Sequence, residues 1–337
     1  MLTDAIKAVL KRGALVAAAN WEVVVILFVA EAAFKGLLIV PALGAAFLVV
    51  LMVGGDTGDI VGARLQDTLG LVVSALDTHP GALVSYFAGL LIVIVGGSVL
   101  MFVIKAGSVP VLVDAEREAP AIEHPPLTTA RVRQAARFSL ERFGQGSDRF
   151  ARRFIRLGLG LLSLYAIVGL AYLAIVMATY RWSAAMGVPL AGSMLVAAAS
   201  LLLAAVVTLL NLAYLLVQVV MVARDCSVRA ATRELPGLVI RERRLVAGIF
   251  GVMLIVVGLA TIASILATGA VGFIGFVPIV GLAMLPLQLL AWLLRGLLFQ
   301  FLGLATLGAY AGVLRGALMP ASGGQPVHGR RSIQPLA

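Results

Sequence analysis

LVAGIFGVMLIVVGLATIASILATGAVGFIGFVPIVGLAMLPLQLLAWLL, residues 245–294, runs for fifty residues without an Asp, Glu, Lys or Arg. No soluble core needs such a run. A membrane-spanning helix needs about 20 apolar residues, so the stretch holds one crossing and the start of another. The rest of the chain has the same character. Of its 337 residues 61% are hydrophobic and 12% charged, against roughly 45–50% and about 25% in soluble domains. The sequence therefore reads as an all-α, polytopic integral membrane protein.

Working outward, six apolar runs are long enough to cross: about 23–53, 83–104, 157–179, 191–222, 246–268 and 284–314. Their direction follows from where the bases lie. Lys7, Lys11 and Arg12 precede the first run, ten Lys and Arg from Lys105 to Arg156 follow the second, six from Arg224 to Arg244 follow the fourth, and Arg315, Arg330 and Arg331 follow the last. The other side carries Arg64 and Arg181 beside Asp56, Asp59, Asp67 and Asp77. Loops rich in Lys and Arg stay on the cytoplasmic side. The expectation is six crossings with both termini cytoplasmic, Tyr180 and Trp182 lying in an outer aromatic belt. One six-helix domain over 1–319 and a disordered cytoplasmic tail over 320–337 complete the organisation. A single cysteine, Cys226, excludes an intramolecular disulfide and a multi-cysteine metal site. No cleavable signal peptide is expected, because the first apolar run continues past Lys35.

Residues 13–53 are long enough for two crossings, but two would put the acidic 54–82 loop inside and the ten-base segment outside. Parity demands one crossing, and a helix from Val23 to Val53 would be about 46 Å long. It must tilt or begin as an in-plane segment. In GAVGFIGFVPIVG, residues 269–281, repeated glycine and Pro278 argue against a regular helix. The expectation there is a surface loop or a re-entrant segment. Residues 115–156 read as a cytoplasmic amphipathic elbow: Val132, Ala136, Leu140 and Phe143 share one helical face, and Phe150, Phe154 and Leu157 continue the spacing after a break at the GQG of 144–146. Its arginines Arg131, Arg133, Arg137, Arg142, Arg149, Arg152 and Arg153 fill the other faces, and are candidate contacts for anionic lipid.

Two further stretches carry a resemblance. The fourth run leads into VVMVARDCSVRAATRELPGLVIRERRLVAGI (219–249), and the last ends in LGLATLGAYAGVLRG (302–316). The C-terminal half resembles a group of uncharacterised bacterial six-helix membrane proteins related to the membrane domain of some glycerophosphodiester phosphodiesterases. VPVLVDAEREA (109–119) echoes the elbow after the fourth run and hints at an internal repeat. The resemblance implies a fold and a place in a bacterial cytoplasmic (inner) membrane. It implies no hydrolysis, since the chain has no room for the soluble phosphodiesterase domain.

Catalytic chemistry finds no foothold. Walker A, HExxH, CxxC and GxSxG patterns are absent. His79, His124 and His328 lack carboxylate-rich partners at ligand or triad spacing, and no metal or cofactor is expected. Gly308, Gly312 and Gly316 place small residues four apart, for packing within the monomer or for a dimer face. Within LFVAEAAFKGLLIV (27–40), Glu31 and Lys35 stand i, i+4 on one helical face. They read either as a structural pair or, with Asn211, Gln218, Gln288 and Gln300, as a polar intramembrane site.

The expected function is that of a non-enzymatic membrane protein that organises lipid or serves envelope assembly. A transporter or permease component using Glu31 and Lys35 is the alternative, and an intramembrane lipid-modifying enzyme the third reading. The expected partners are anionic membrane lipids, with a second copy or a membrane complex also open, and no nucleic acid.

Overall fold

The computed structural model describes residues 2–53, 80–120, 122–123, 128–275 and 278–318. Most of the acidic 54–82 loop, the PPL step at 125–127, all three histidines and the 320–337 tail lie outside the described residues.

The described elements are all helical. They are α1 (Leu2–Ala19), α2 (Trp21–Val53), α3 (Pro80–Glu118), α4 (Thr129–Arg133), α5 (Leu140–Met186), α6 (Pro189–Ala223), α7 (Val228–Arg241), α8 (Arg243–Gly275) and α9 (Pro278–Leu318). Six stretches among them are long and apolar enough to cross a membrane: Trp21–Pro41, Tyr86–Glu118, Leu140–Met186, Pro189–Ala223, Arg243–Ala270 and Pro286–Gly316. Leu201 on α6 is 75% exposed and Ile92 on α3 71%. A helix apolar on all sides that leaves such residues uncovered is solvated by lipid rather than water. The chain is a multi-pass membrane protein.

Three local expectations are corrected. The GAVGFIGFVPIVG stretch is helical over its described part. α8 runs through Gly269 and Gly272 to Gly275, and α9 begins at Pro278. Proline is tolerated in a first helical turn, where its missing N–H is not needed. The GQG of 144–146 does not break α5. A Cβ at Gly146 would lie 3.4 Å from the carbonyl oxygens of Ala106 and Gly107, so this glycine serves close approach to α3. Finally, residues 132–143 do not form one helical face. α4 stops at Arg133, Ser139 caps α5 by accepting from the Arg142 amide at 3.1 Å, and Leu140 is 77% exposed. The cap, together with an extended backbone at Ser139, restarts the helix in a new phase.

The contacts sort the described residues into two compact units. One comprises the described parts of 1–21, 112–137 and 212–337, and the other those of 22–111 and 138–211. In the first, Leu216, Val246, Ile249, Ala309, Tyr310 and Val313 form a core against which Ile6, Val9 and Leu10 of α1 pack. α1 meets α9 backbone to backbone: a Cβ at Gly13 would stand 2.4 Å from the Ala305 carbonyl oxygen. In the second, Phe34 of α2 fills the space at Gly97 of α3, and Phe102 of α3 that at Gly158 of α5. Small residues allow these approaches where lipid supplies no hydrophobic drive between helices.

Candidate functional site

Charges that cannot reach bulk water must find partners, so the ionic groups inside each unit mark where chemistry could happen. The first unit holds one around Arg12. Its position on α1, one residue before Gly13, faces the end of α3. Nε donates to Oε1 of Glu116 at 2.8 Å. Nη1 donates to Oε2 of Glu123 and to the Pro120 carbonyl, both at 2.9 Å. Nη2 donates to the carbonyls of Glu116 and Ala119, again at 2.9 Å. All five guanidinium N–H groups are used. The last carbonyls of a helix have no partner within it, and Arg12 supplies one for the end of α3. Burial opposes the Arg12 charge, but its bonds to and attraction by Glu116 and Glu123 outweigh that, and its pKa is raised above that of a free guanidinium. Lys11 adds a bond to the Glu123 carbonyl at 2.7 Å.

Asn20 closes the other end of α1. It is fully buried, donates to the carbonyls of Val16 at 2.9 Å and Ala135 at 3.1 Å, and accepts from the Arg137 amide at 2.8 Å. The 116–137 segment is thereby held to α1 at both ends. Gly312 on α9 belongs to the same arrangement, because a Cβ there would lie 3.2 Å from Oε1 of Glu116. Gly308 faces Gly13, and Gly316 faces open space.

The second unit holds Glu31 and Lys35, paired at 2.5 Å along α2. A third charge joins them. Lys105 on α3, within the Tyr86–Glu118 span, feels the Glu31 carboxylate. Sequence reasoning missed it by ending the second span at residue 104 and counting Lys105 among the bases beyond. The unbroken apolar run after it, with Val109, Val111, Leu112 and Val113 buried, was the available signal.

The other candidate polar residues are placed as follows. Asn211 accepts a hydrogen bond from Tyr165 in the second unit. Gln218, 3% exposed, lies in the first unit, and its amide nitrogen finds no acceptor among the described residues. Gln288 and Gln300 are half-buried on α9.

The remaining candidates are the arginines of α4 and Arg137, in the first unit, and those at the start of α5, in the second. Arg131, Arg133, Arg142, Arg149 and Arg152 are exposed, and Arg137 and Arg153 half-buried. Arg137 pairs with Glu118 at 3.0 Å. On α5 Phe150 and Phe154 are buried, and the guanidiniums of Arg149 and Arg153 lie 5.4 and 5.3 Å from the Phe150 ring centre. Such a surface, with aromatic roots and splayed cations, can attract anions.

No protein family matches the chain, and no curated protein or solved structure is similar to it.

Proposed function

We propose that the protein is a non-enzymatic component of a bacterial inner membrane that gathers and organises anionic lipid, with both termini on the cytoplasmic side. The observation that carries this reading is the base of α5. Arg142, Arg149, Arg152 and Arg156 stand exposed around a helix rooted by Phe150 and Phe154, just before the chain becomes continuously apolar. Cations at that depth meet phospholipid headgroups. Each base near an anionic surface contributes about 1 kcal/mol, so several act together. α7, which buries Ala231 and Leu238 and carries Arg229, Arg233 and Arg241, supports the same reading as an interfacial elbow.

The test is the lipid that accompanies the protein through mild detergent purification. Wild type should retain anionic phospholipid above its share in the source membrane. A variant with Arg131, Arg133, Arg137, Arg142, Arg149, Arg152 and Arg153 changed to Gln should lose that enrichment. Equal composition in the two preparations would overturn the reading.

A second reading, a transporter or permease component, gains from Lys105. Two ammoniums and one carboxylate on two helices are a more versatile polar site than one self-neutralised pair. With Cys226→Ser as background, cysteines placed singly at positions 31, 35 and 105 should react with a small water-soluble thiol reagent if the site opens to water. Protection at all three assigns them to structure.

A further inference from the structure

In the first unit α3, α6 and α9 end around a cavity of about 520 Å³, lined by Val113, Glu116, Arg117, Ala223, Arg224, Ala311 and Arg315. Its size suits a small-molecule group. Its place is informative too. The three apolar spans end at Glu118, Ala223 and Gly316, so the three guanidiniums stand where spans give way to polar surface.

The cavity's charges are unevenly used. Glu116, its single carboxylate, is 1% exposed and accepts from Arg12 at 2.8 Å. Arg117 donates to the Ala223 carbonyl at 2.9 Å, Arg224 to Glu234, and Arg315 to the Glu116 carbonyl at 3.3 Å. Arg315 also lies 3.7 Å from Oε1 of Glu116. Each of the three therefore makes one hydrogen bond among the described residues, whereas Arg12 makes five. A guanidinium carries five N–H donors, and most of those around the cavity are spare. Each is anchored at one corner by its protein partner, which fixes the fork without exhausting it. Val113, Ala223 and Ala311 give the cavity an apolar wall.

We propose that this cavity binds a phosphate group, its oxygens accepting from Arg117, Arg224 and Arg315, with an apolar portion of the same molecule on the Val113–Ala311 wall. Arginine forks match phosphate in planar, two-point geometry, and basic pockets between membrane helices at headgroup depth suit phospholipid heads. The choice of a phospholipid rather than free phosphate rests on the lipid-organising reading. The phosphate site itself does not.

The experiment uses the full chain in detergent, titrated with phosphatidylglycerol or phosphatidylethanolamine and followed by native mass spectrometry, with inorganic phosphate as competitor. Phosphatidylglycerol should bind with a clear preference, and Arg117→Gln and Arg315→Gln should each weaken it roughly tenfold or more, the order expected for one charge-assisted pair. Arg117→Lys should retain part of the binding, and Arg181→Gln, exposed near the far end of α5, should leave it unchanged. Ala311→Leu tests the cavity without altering charge and should also weaken binding. Should Arg315→Gln fail to fold, Arg117→Gln and Ala311→Leu decide. Competition by millimolar phosphate with no preference between the lipids would keep the phosphate site and remove the lipid reading. Wild-type affinity in both Arg117→Gln and Ala311→Leu would overturn the site, while leaving the arginines of α5 as the lipid contact. Absence of binding by either lipid or phosphate would overturn both.

Discussion

Arg12 and Glu116, separated by 104 residues of sequence, meet at 2.8 Å with side chains only 10% and 2% exposed. The pair fastens α1 to the end of α3. Removing one partner strands the other in a nearly dry site, which costs more than the net value of the pair. Arg12→Ala should lower stability by about 3–5 kcal/mol, read as a loss of thermal unfolding midpoint in detergent. Arg12→Lys should fail to rescue it, because an ammonium cannot reproduce the five-bond fork. Changing Arg12 to Met together with Glu116 to Leu should be milder than Arg12→Ala alone. A double variant as damaged as the sum of both single variants would contradict this account.

The same residue predicts a pH response. Its pKa is raised in the folded chain, since Glu116 and Glu123 outweigh the burial that opposes its charge. A raised cationic pKa gives stability that is fully present below the unfolded value and lost only as pH rises through the folded one. Across all pH values well below the free guanidinium pKa, the Arg12 contribution should stay constant. The wild-type-minus-Arg12→Ala difference in unfolding midpoint, followed from neutral to moderately alkaline pH, should be flat on that limb.

Three glycines separate close approach from spacing. A Cβ at Gly13 would stand 2.4 Å from the Ala305 oxygen and 2.6 Å from the Ala309 nitrogen, both backbone atoms that cannot swing aside, while a Cβ at Gly316 would meet nothing within 4 Å. Gly13→Ala should destabilise by about 1–3 kcal/mol through forced separation of α1 and α9. Gly316→Ala should be neutral or slightly stabilising, since alanine favours helix. Gly312→Ala should fall between them, because the Glu116 oxygen it would approach belongs to a side chain. Thermal unfolding of the three variants in parallel tests the ranking.

Asn20→Ala removes two donated bonds and one accepted bond at a fully buried position. The Arg137 amide and Ala135 carbonyl lose this partner, at a cost of about 1–3 kcal/mol. Limited proteolysis should then cut within 119–139 faster than in wild type. Unchanged cutting would mean that α1 does not secure this segment.

Glu31 is the common partner of Lys35 and Lys105. Glu31→Gln removes the carboxylate that both lysines feel and should destabilise the chain. Adding Lys105→Met should recover part of the loss, with a coupling of about 0.5–3 kcal/mol in a double-mutant cycle. Additive effects would show that Lys105 and Glu31 act independently.

Legibility followed the range of the interaction. Membrane residence and the six crossings are written into contiguous apolar runs, because transfer into lipid is summed residue by residue along a helix. The Glu31–Lys35 pair was readable for the same reason, since i, i+4 spacing is fixed within one helix. Helix restarts were less legible. Gly146 looked like a breaker and is a packing contact, and Gly269 to Gly275 are helical, because in an apolar setting an unpaired backbone costs more than glycine's weak helix propensity.

What only the tertiary structure decided is which charge meets which. In the sequence Arg12 is one of many bases and Glu116 one of several acids. Nothing local distinguishes the guanidinium with all five donors filled from those of Arg117, Arg224 and Arg315, which keep donors spare. Lys105 likewise became an intramembrane charge only when α3 ran on past it and met Glu31. Such partnerships join positions as much as 199 residues apart, as Arg315 and Glu116 do. They depend on how helices cross, and helical periodicity states which face a residue occupies but not what faces it.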